Sequence, residues 1–364
     1  MSKRERRTAY EKWIEGEGIP VVEGYGVTDV SQLELAEWPR AGGKGAYIQL
    51  TGLEGITGLY VGEIAPGSGL KPEKHLYEEV ICILSGTGET EIMLDGYPTR
   101  KFDWQEGSLF SPPLNTTHRL INTGPAPVRF IGVTTAPMIF DNLHNEEFIL
   151  NTGFVFKERY QAQEDYFVPG ENRYLSENNK QWILETNLIP DLRTLLIDAQ
   201  GQKGAGVLLT QFEISENTLI GHLADWPVGR YHKAHYHGGG AVLLILRSEG
   251  YTLMWPNAWG PKPYENGHGA EVVRVDWQVG SVVCPPTGWF HQHFNTGAEP
   301  ALQLALRCGS SKHPLGIRVA HIRAGVYKSV KEGGTLIEYE DEDTEIRRIY
   351  EASLQKTGVA SAMP

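Results

Sequence analysis

The stretch YHKAHYHG, Tyr231 to Gly238, places three histidines within six positions, and PPTGWFHQHFN supplies two more about 55 residues later. On a strand, alternate residues face one side, so His235 and His237 point together into one cavity. His291 arrives from another strand after a Pro-Gly turn. Three neutral imidazoles can bind a divalent first-row metal and leave coordination positions open for substrate and dioxygen. A closed structural zinc site would want a fourth ligand, usually cysteine, and none has suitable spacing. His293 follows His291 by two and shares its side, as an acid–base group, as a donor orienting a ligand, or as a packed histidine bonded to a carbonyl. His232, three before His235, falls on the opposite face and reads as structural, and His222 reads as background. Gln303 and Arg307 share a face of ALQLALRC; turned inward they can hold a substrate carboxylate, which suits a guanidinium fork, and turned outward Arg307 makes a rim salt bridge.

The elements that position these residues repeat. FDWQEGSLFSPPLNTTHRLINTG at 102–124 returns at 275–297 as VDWQVGSVVCPPTGWFHQHFNTG, with 11 identities at an offset of 173. So long a period marks a duplicated domain. Short apolar runs such as GLYVGEI, EVICIL and AVLLIL, set among 42 glycines and 21 prolines, indicate many short strands joined by tight turns. The expected organisation is an N-terminal extension over 1–45 with a short helix near Glu11–Glu17, a β domain over 46–138, and a connection over 139–204. A second β domain follows over 205–310, then a tail over 311–364 with a helix stopped by Gly358. The insertion NAWGPKPYENGHG lengthens a hairpin of the second domain.

The first domain carries its own constellation: His75 and Glu79 in HLYEEVICILSG, then His118 in the repeated segment. Two histidines and a carboxylate can form an open facial metal site, or a vestigial pocket held by an internal ion pair. Glu73 is a weaker fourth candidate that can point to solvent.

Composition narrows the partners. A formal net charge of −12 argues against nucleic acid and anionic membrane surfaces. Three cysteines with no CxxC pairing argue for a reducing, cytoplasmic setting. No apolar run is long enough to span a bilayer.

These motifs resemble the two motifs of the cupin superfamily, G…HxHxxx(E)xxxxxxG and G…PxGxxHxxxN, met twice. Domain one matches at His75, Glu79, Gly86, Pro113, His118 and Asn122, with Glu73 in place of the first histidine. Domain two matches at His235, His237, Pro286, Gly288, His291 and Asn295, with Ala241 in place of the glutamate. The resemblance implies an all-β chain of two tandem double-stranded β-helix (jelly-roll) barrels with a few peripheral helices. It further resembles three-histidine iron dioxygenases of the gentisate and diketone-cleaving types, the former also carrying alanine where Ala241 stands. In those gentisate enzymes the active metal lies in the first cupin, whereas the complete triad here is in the second.

The expected activity is therefore an Fe(II) dioxygenase cleaving a C–C bond of a small anionic aromatic or dicarbonyl compound. Its metal is held by His235, His237 and His291, with His293, Arg307 and Gln303 around the substrate and O2 as co-substrate. A second metal at His75, Glu79 and His118 is the open question of the first domain. One alternative is a non-oxidative bicupin decarboxylase, isomerase or lyase using Mn, Ni or Zn. Another is a non-catalytic small-molecule-binding cupin. The expected partners are a small-molecule substrate and further copies of the chain in a homo-oligomer.

Overall fold

The computed structural model describes residues 7–176, 181–201, 203–316 and 328–364. Each half is a jelly roll built from a large and a small sheet. In the first half the large sheet runs, in spatial order, Val21–Gly24, Gly43–Leu50, Gly58–Ile64, Val128–Thr134, Glu79–Ser85 and Leu109–Phe110. Its small sheet is Thr117–Asn122, Thr87–Met93 and Arg100–Gln105. The second half repeats the order as Trp182–Thr186, Leu208–Ile214, Leu219–Trp226, Ala301–Cys308, Val242–Arg247 and Val282–Val283. Trp289–Asn295, Gly250–Pro256 and Val273–Trp277 form its small sheet. The fold is all-β, a tandem of cupin-type jelly rolls with helices at the periphery.

The expectation of jelly-roll barrels is refined in two respects. Strand pairing does not continue from the small sheet into the large one, so each half is an open pair of sheets. Each large sheet also contains one parallel pair, Val21–Gly24 with Gly43–Leu50 and Trp182–Thr186 with Leu208–Ile214.

The halves exchange strands. Gly26–Val27 pairs with Val282–Val283 of the second half, and Leu188–Ile189 pairs with Leu109–Phe110 of the first. Beyond each exchanged strand an aspartate closes a matching turn: Asp29 accepts from the Ser31 amide at 2.8 Å and Asp191 from the Arg193 amide at 2.9 Å. Residues 21–35 and 183–197 are thus structural equivalents, sharing Glu23/Glu185, Asp29/Asp191 and Leu33/Leu195 at an offset of 162. Sequence reading places one in an extension and the other in a connection; the structure gives both the same task.

The two large sheets pack face to face. One core cluster draws Ile48, Val80 and Cys82 from the first half and Phe212, Leu223 and Leu244 from the second. Along Glu79–Ser85, Val80 and Cys82 enter this shared core while Ile81 and Ile83 enter the interior of their own half. Burial on both faces is why EVICIL and AVLLIL read as unbroken apolar runs rather than alternating ones.

Helix Ala9–Gly16 starts in a reciprocal cap, the Glu11 amide donating to the Thr8 hydroxyl at 3.2 Å and the Thr8 amide to the Glu11 carboxylate at 2.9 Å. Its Tyr10, Trp13 and Ile14 are buried in the first-half core. Helix Thr344–Thr357, capped by Asp343 and ended by Gly358 at φ 71°, buries Ile346, Tyr350 and Leu354 against the second half. The 257–269 insertion extends the antiparallel hairpin of Gly250–Pro256 with Val273–Trp277. Among the described residues, no helix is long and apolar enough to cross a membrane.

Candidate metal centre

Nitrogens of His235, His237 and His291 all lie within 4.8 Å of one another. The strand reading of YHKAHYHG requires correction. Apart from single bridges at Tyr231 and His235 the segment is irregular, and it is the bridge of His235 to His291 that sets the pair side by side. Each ring is oriented through Nδ1, which lies 3.1 Å from the Lys233 carbonyl in His235, 2.7 Å from that of Gly238 in His237, and 3.1 Å from that of Trp289 in His291. A carbonyl can only accept, so each Nδ1 carries the proton and each Nε2 keeps a lone pair. The His235 Nε2 is buried without a hydrogen-bond partner. Burial, reinforced by the Lys203 charge, pushes all three pKa values down, that of His291 to about 3. Neutral imidazoles with convergent lone pairs are a donor set that fits a divalent first-row cation.

The cavity beside the triad measures about 80 Å³, room for several waters or a small organic molecule, since one water needs about 10–15 Å³. Val207, Leu209 and Leu243 line part of it; Lys203, Gln211, Gln303 and Arg307 line another part. Gln303 and Arg307, left open between inward and rim placements by the sequence, both face inward on Ala301–Cys308. His293 lines the cavity with its Nδ1 2.9 Å from the Thr252 hydroxyl and its ring stacked on Trp226. His222 and His232 line it too. For His232 this reverses the expected outward placement: alternation fails because the segment is not a strand. Both His232 ring nitrogens are buried without a hydrogen-bond partner. Lys203, in the loop GQKGAG, carried no motif, and only the tertiary fold brings it here.

In the first half His75, Glu79 and His118 form, among the described residues, a second group whose ligand atoms lie within 4.8 Å. Again the Nδ1 atoms are committed to carbonyls, of Tyr77 at 2.8 Å and Thr116 at 3.1 Å. Both Nε2 atoms stand 3.5 Å from the same Glu79 oxygen, Oε2. The other oxygen, Oε1, accepts from the Tyr60 hydroxyl at 2.7 Å. Burial opposes the charge on Glu79, but the contacts to His118 and His75 outweigh it and hold the carboxyl well below its usual range. Burial likewise opposes protonation of His118, and Glu79 overrides it, raising the pKa. Both histidine Nε2 atoms and Glu79 Oε2 are buried at less than hydrogen-bond quality, so this donor set also fits a divalent cation. Glu73 pairs with Arg40 and, with it, lines the small cavity over Glu79.

Access differs. Over Glu79 lie Tyr10 and Trp13 of the N-terminal helix with Trp38, Tyr47 and Tyr77, leaving a cavity of about 10 Å³. That is space for about one water.

Residues 60–134 match the family model described as a cupin domain. Solved structures that resemble the chain include a deletion mutant of Bacillus subtilis oxalate decarboxylase, 14% identical over 79% of this chain and 77% of that one, with a TM-score of 0.47. Another is Bacillus subtilis oxalate decarboxylase as used to assign its Mn(II) centres, 15% identical over 79% and 78%, with a TM-score of 0.48. No curated protein matches by sequence. The family model covers part of the first jelly roll, and the second repeats the strand order of the first. The narrower likeness to gentisate-type dioxygenases rests on the motifs alone, and these comparisons add nothing to it.

Proposed function

We propose that the chain is a metal-dependent enzyme whose metal is held by His235, His237 and His291, and that its substrate is a small organic anion. The observation that carries this reading is the clustering of the three histidines, of which His237 and His291 line a cavity that also presents Lys203 and Arg307. With no protein carboxylate in the triad, the full charge of the ion remains for the substrate, as a Lewis acid and a template. Arg307 and Lys203 then bind the substrate's carboxylate, Gln303 and Gln211 orient its remaining polar atoms, and Val207, Leu209 and Leu243 exclude water around it.

Between the two chemistries, the lining favours the non-oxidative one: a decarboxylase, lyase or isomerase using Mn, Ni, Zn or Fe. Such reactions must deliver or remove a proton at a substrate atom, and His232 and His293, kept neutral by burial, line the cavity together with His222. The Fe(II) dioxygenase reading keeps one specific support, Ala241 in place of a carboxylate ligand, which leaves room beside the ion. Metal analysis of the purified protein, followed by turnover of a panel of hydroxy, keto and dicarboxylic acids with and without dioxygen, tests both. Turnover in the absence of dioxygen supports the lyase class, and strict dioxygen consumption reverses the order. No metal in the second half would overturn the reading altogether.

A further inference from the structure

His237 differs from its two partners in what orients it. His235 and His291 each use a carbonyl two residues back on a bridged segment, whereas His237 uses the carbonyl of Gly238, its own successor. That carbonyl opens the run Gly238-Gly239-Gly240, the sequence with the greatest backbone freedom and the greatest entropy to lose on ordering. Something outside the run must fix it.

The clamps come from the other half of the molecule, on the turn after Gly43–Leu50. The Gly240 amide donates to the Gly52 carbonyl at 2.7 Å, and the Thr57 hydroxyl donates to the Gly240 carbonyl at 2.9 Å. The Gly239 amide donates to the Thr287 hydroxyl at 2.6 Å, and the Thr287 amide donates to the Glu54 carboxylate at 2.8 Å. Contact is close: a Cβ on Gly52 would sit 2.0 Å from the Cys284 carbonyl oxygen. The arrangement is reciprocal. The Glu78 carboxylate, beside Glu79, accepts from the Thr218 amide at 2.9 Å and the Leu219 amide at 3.0 Å across the same interface.

We infer that Glu54 and Thr57 of the first jelly roll are positioning residues for the metal ligand His237 of the second, so that metal affinity there is set across the interface between the halves. This rests on the proposed second-half metal. Loss of an outer partner that orients a ligand costs roughly 10–100-fold in metal affinity. The test is Co(II) titration of the full-length apoprotein, with the His235→Ala difference spectrum defining the second-half signal. Thr57→Val and Glu54→Ala are expected to weaken Co(II) binding there by roughly 10-fold or more and to alter its visible d–d bands. Thr57→Ser should restore both, and chelated samples should melt within a few degrees of wild type. Affinity within twofold of wild type in both variants, with unchanged bands, would overturn the inference while leaving the metal site intact. Identical Co(II) stoichiometry and spectrum in wild type and His235→Ala would instead remove the metal reading, and the inference with it.

Discussion

In the first jelly roll two histidines face a buried carboxylate beneath a roof of aromatic rings; in the second, the corresponding positions hold three histidines beside a larger cavity of mixed lining. The register is the same: Glu73 aligns with His235, His75 with His237, Glu79 with Ala241 and His118 with His291. Two exchanges redistribute charge. Glu79 gives the first cluster an anionic donor with both histidine Nε2 atoms 3.5 Å from it, so part of the charge of any bound cation would be offset there. The second cluster contains only neutral donors and two nearby cations, and a metal there stays electropositive toward an anionic ligand. The first cavity has room for about one water and the second for several. The same scaffold encloses two pockets of different size.

The largest expected effect comes from removing ligands on the two sides. His237→Ala or His291→Ala should lower turnover by well over 100-fold, beyond the loss of an outer partner, with little change in melting temperature. His75→Ala or His118→Ala should destabilise the chain instead, by about 3–5 kcal/mol, because Glu79 is left buried without its full complement. Turnover and melting curves for the four variants decide it; loss of activity confined to the first-half pair would invert the comparison.

Trp13→Ala should cost about 3–5 kcal/mol, since the ring stacks on Phe140 at 4.3 Å and meets Tyr47 edge-on. It should also speed exchange of a probe metal at the first site without touching the second. An unchanged exchange rate would show that the aromatic roof is not what seals the first pocket.

Arg307→Leu should weaken binding of a carboxylate substrate or inhibitor by roughly 10–100-fold, the worth of a hydrogen bond to a charged group. Metal content should remain unchanged. If the variant loses metal and not affinity, Arg307 supports the triad rather than the substrate.

The smallest expected effect is on acid stability of the metal-free protein. His235, His237 and His291 are held below 6.5 in the fold, so between that value and about 3 the unfolded chain binds more protons and stability falls as pH drops. In the first pocket Glu79 is depressed, so its contribution is present above its ordinary 4.5 and lost only as pH falls further. His118 is raised, so its contribution persists on the acid side and is lost as pH rises through its folded value. Between about pH 7 and 5, hydrogen exchange should loosen the second half first. Earlier loss of protection in Glu79–Ser85 would contradict this.

The duplication, the all-β class and the two histidine groups were legible because they rest on local rules. Pro-Pro, Asn-Thr-Gly and Gly turns recur at fixed spacing, and apolar runs mark strands wherever they lie. Ligand residue types also stand close in sequence. His235 and His237 were grouped on strand alternation that the structure does not have; their spacing was informative although the stated geometry was not. His232 was misplaced by the same rule, which holds only for extended backbone.

Other features depend on contacts between distant segments. Nothing local to GQKGAG sends Lys203 to the metal cavity, and nothing in Thr8–Gly16 makes it a lid over Glu79. The exchanged strands Gly26–Val27 and Leu188–Ile189 are two residues each, too short for any periodicity to show. The clamp on Gly238–Gly240 involves Gly52, Glu54 and Thr57, more than 180 residues away. The sequence by itself determined which elements form and which residue types could ligate. Contacts between distant segments decided which pocket lies beneath aromatic rings and which residues hold each in shape, because burial and electrostatics depend on what lies across a cavity rather than along a chain.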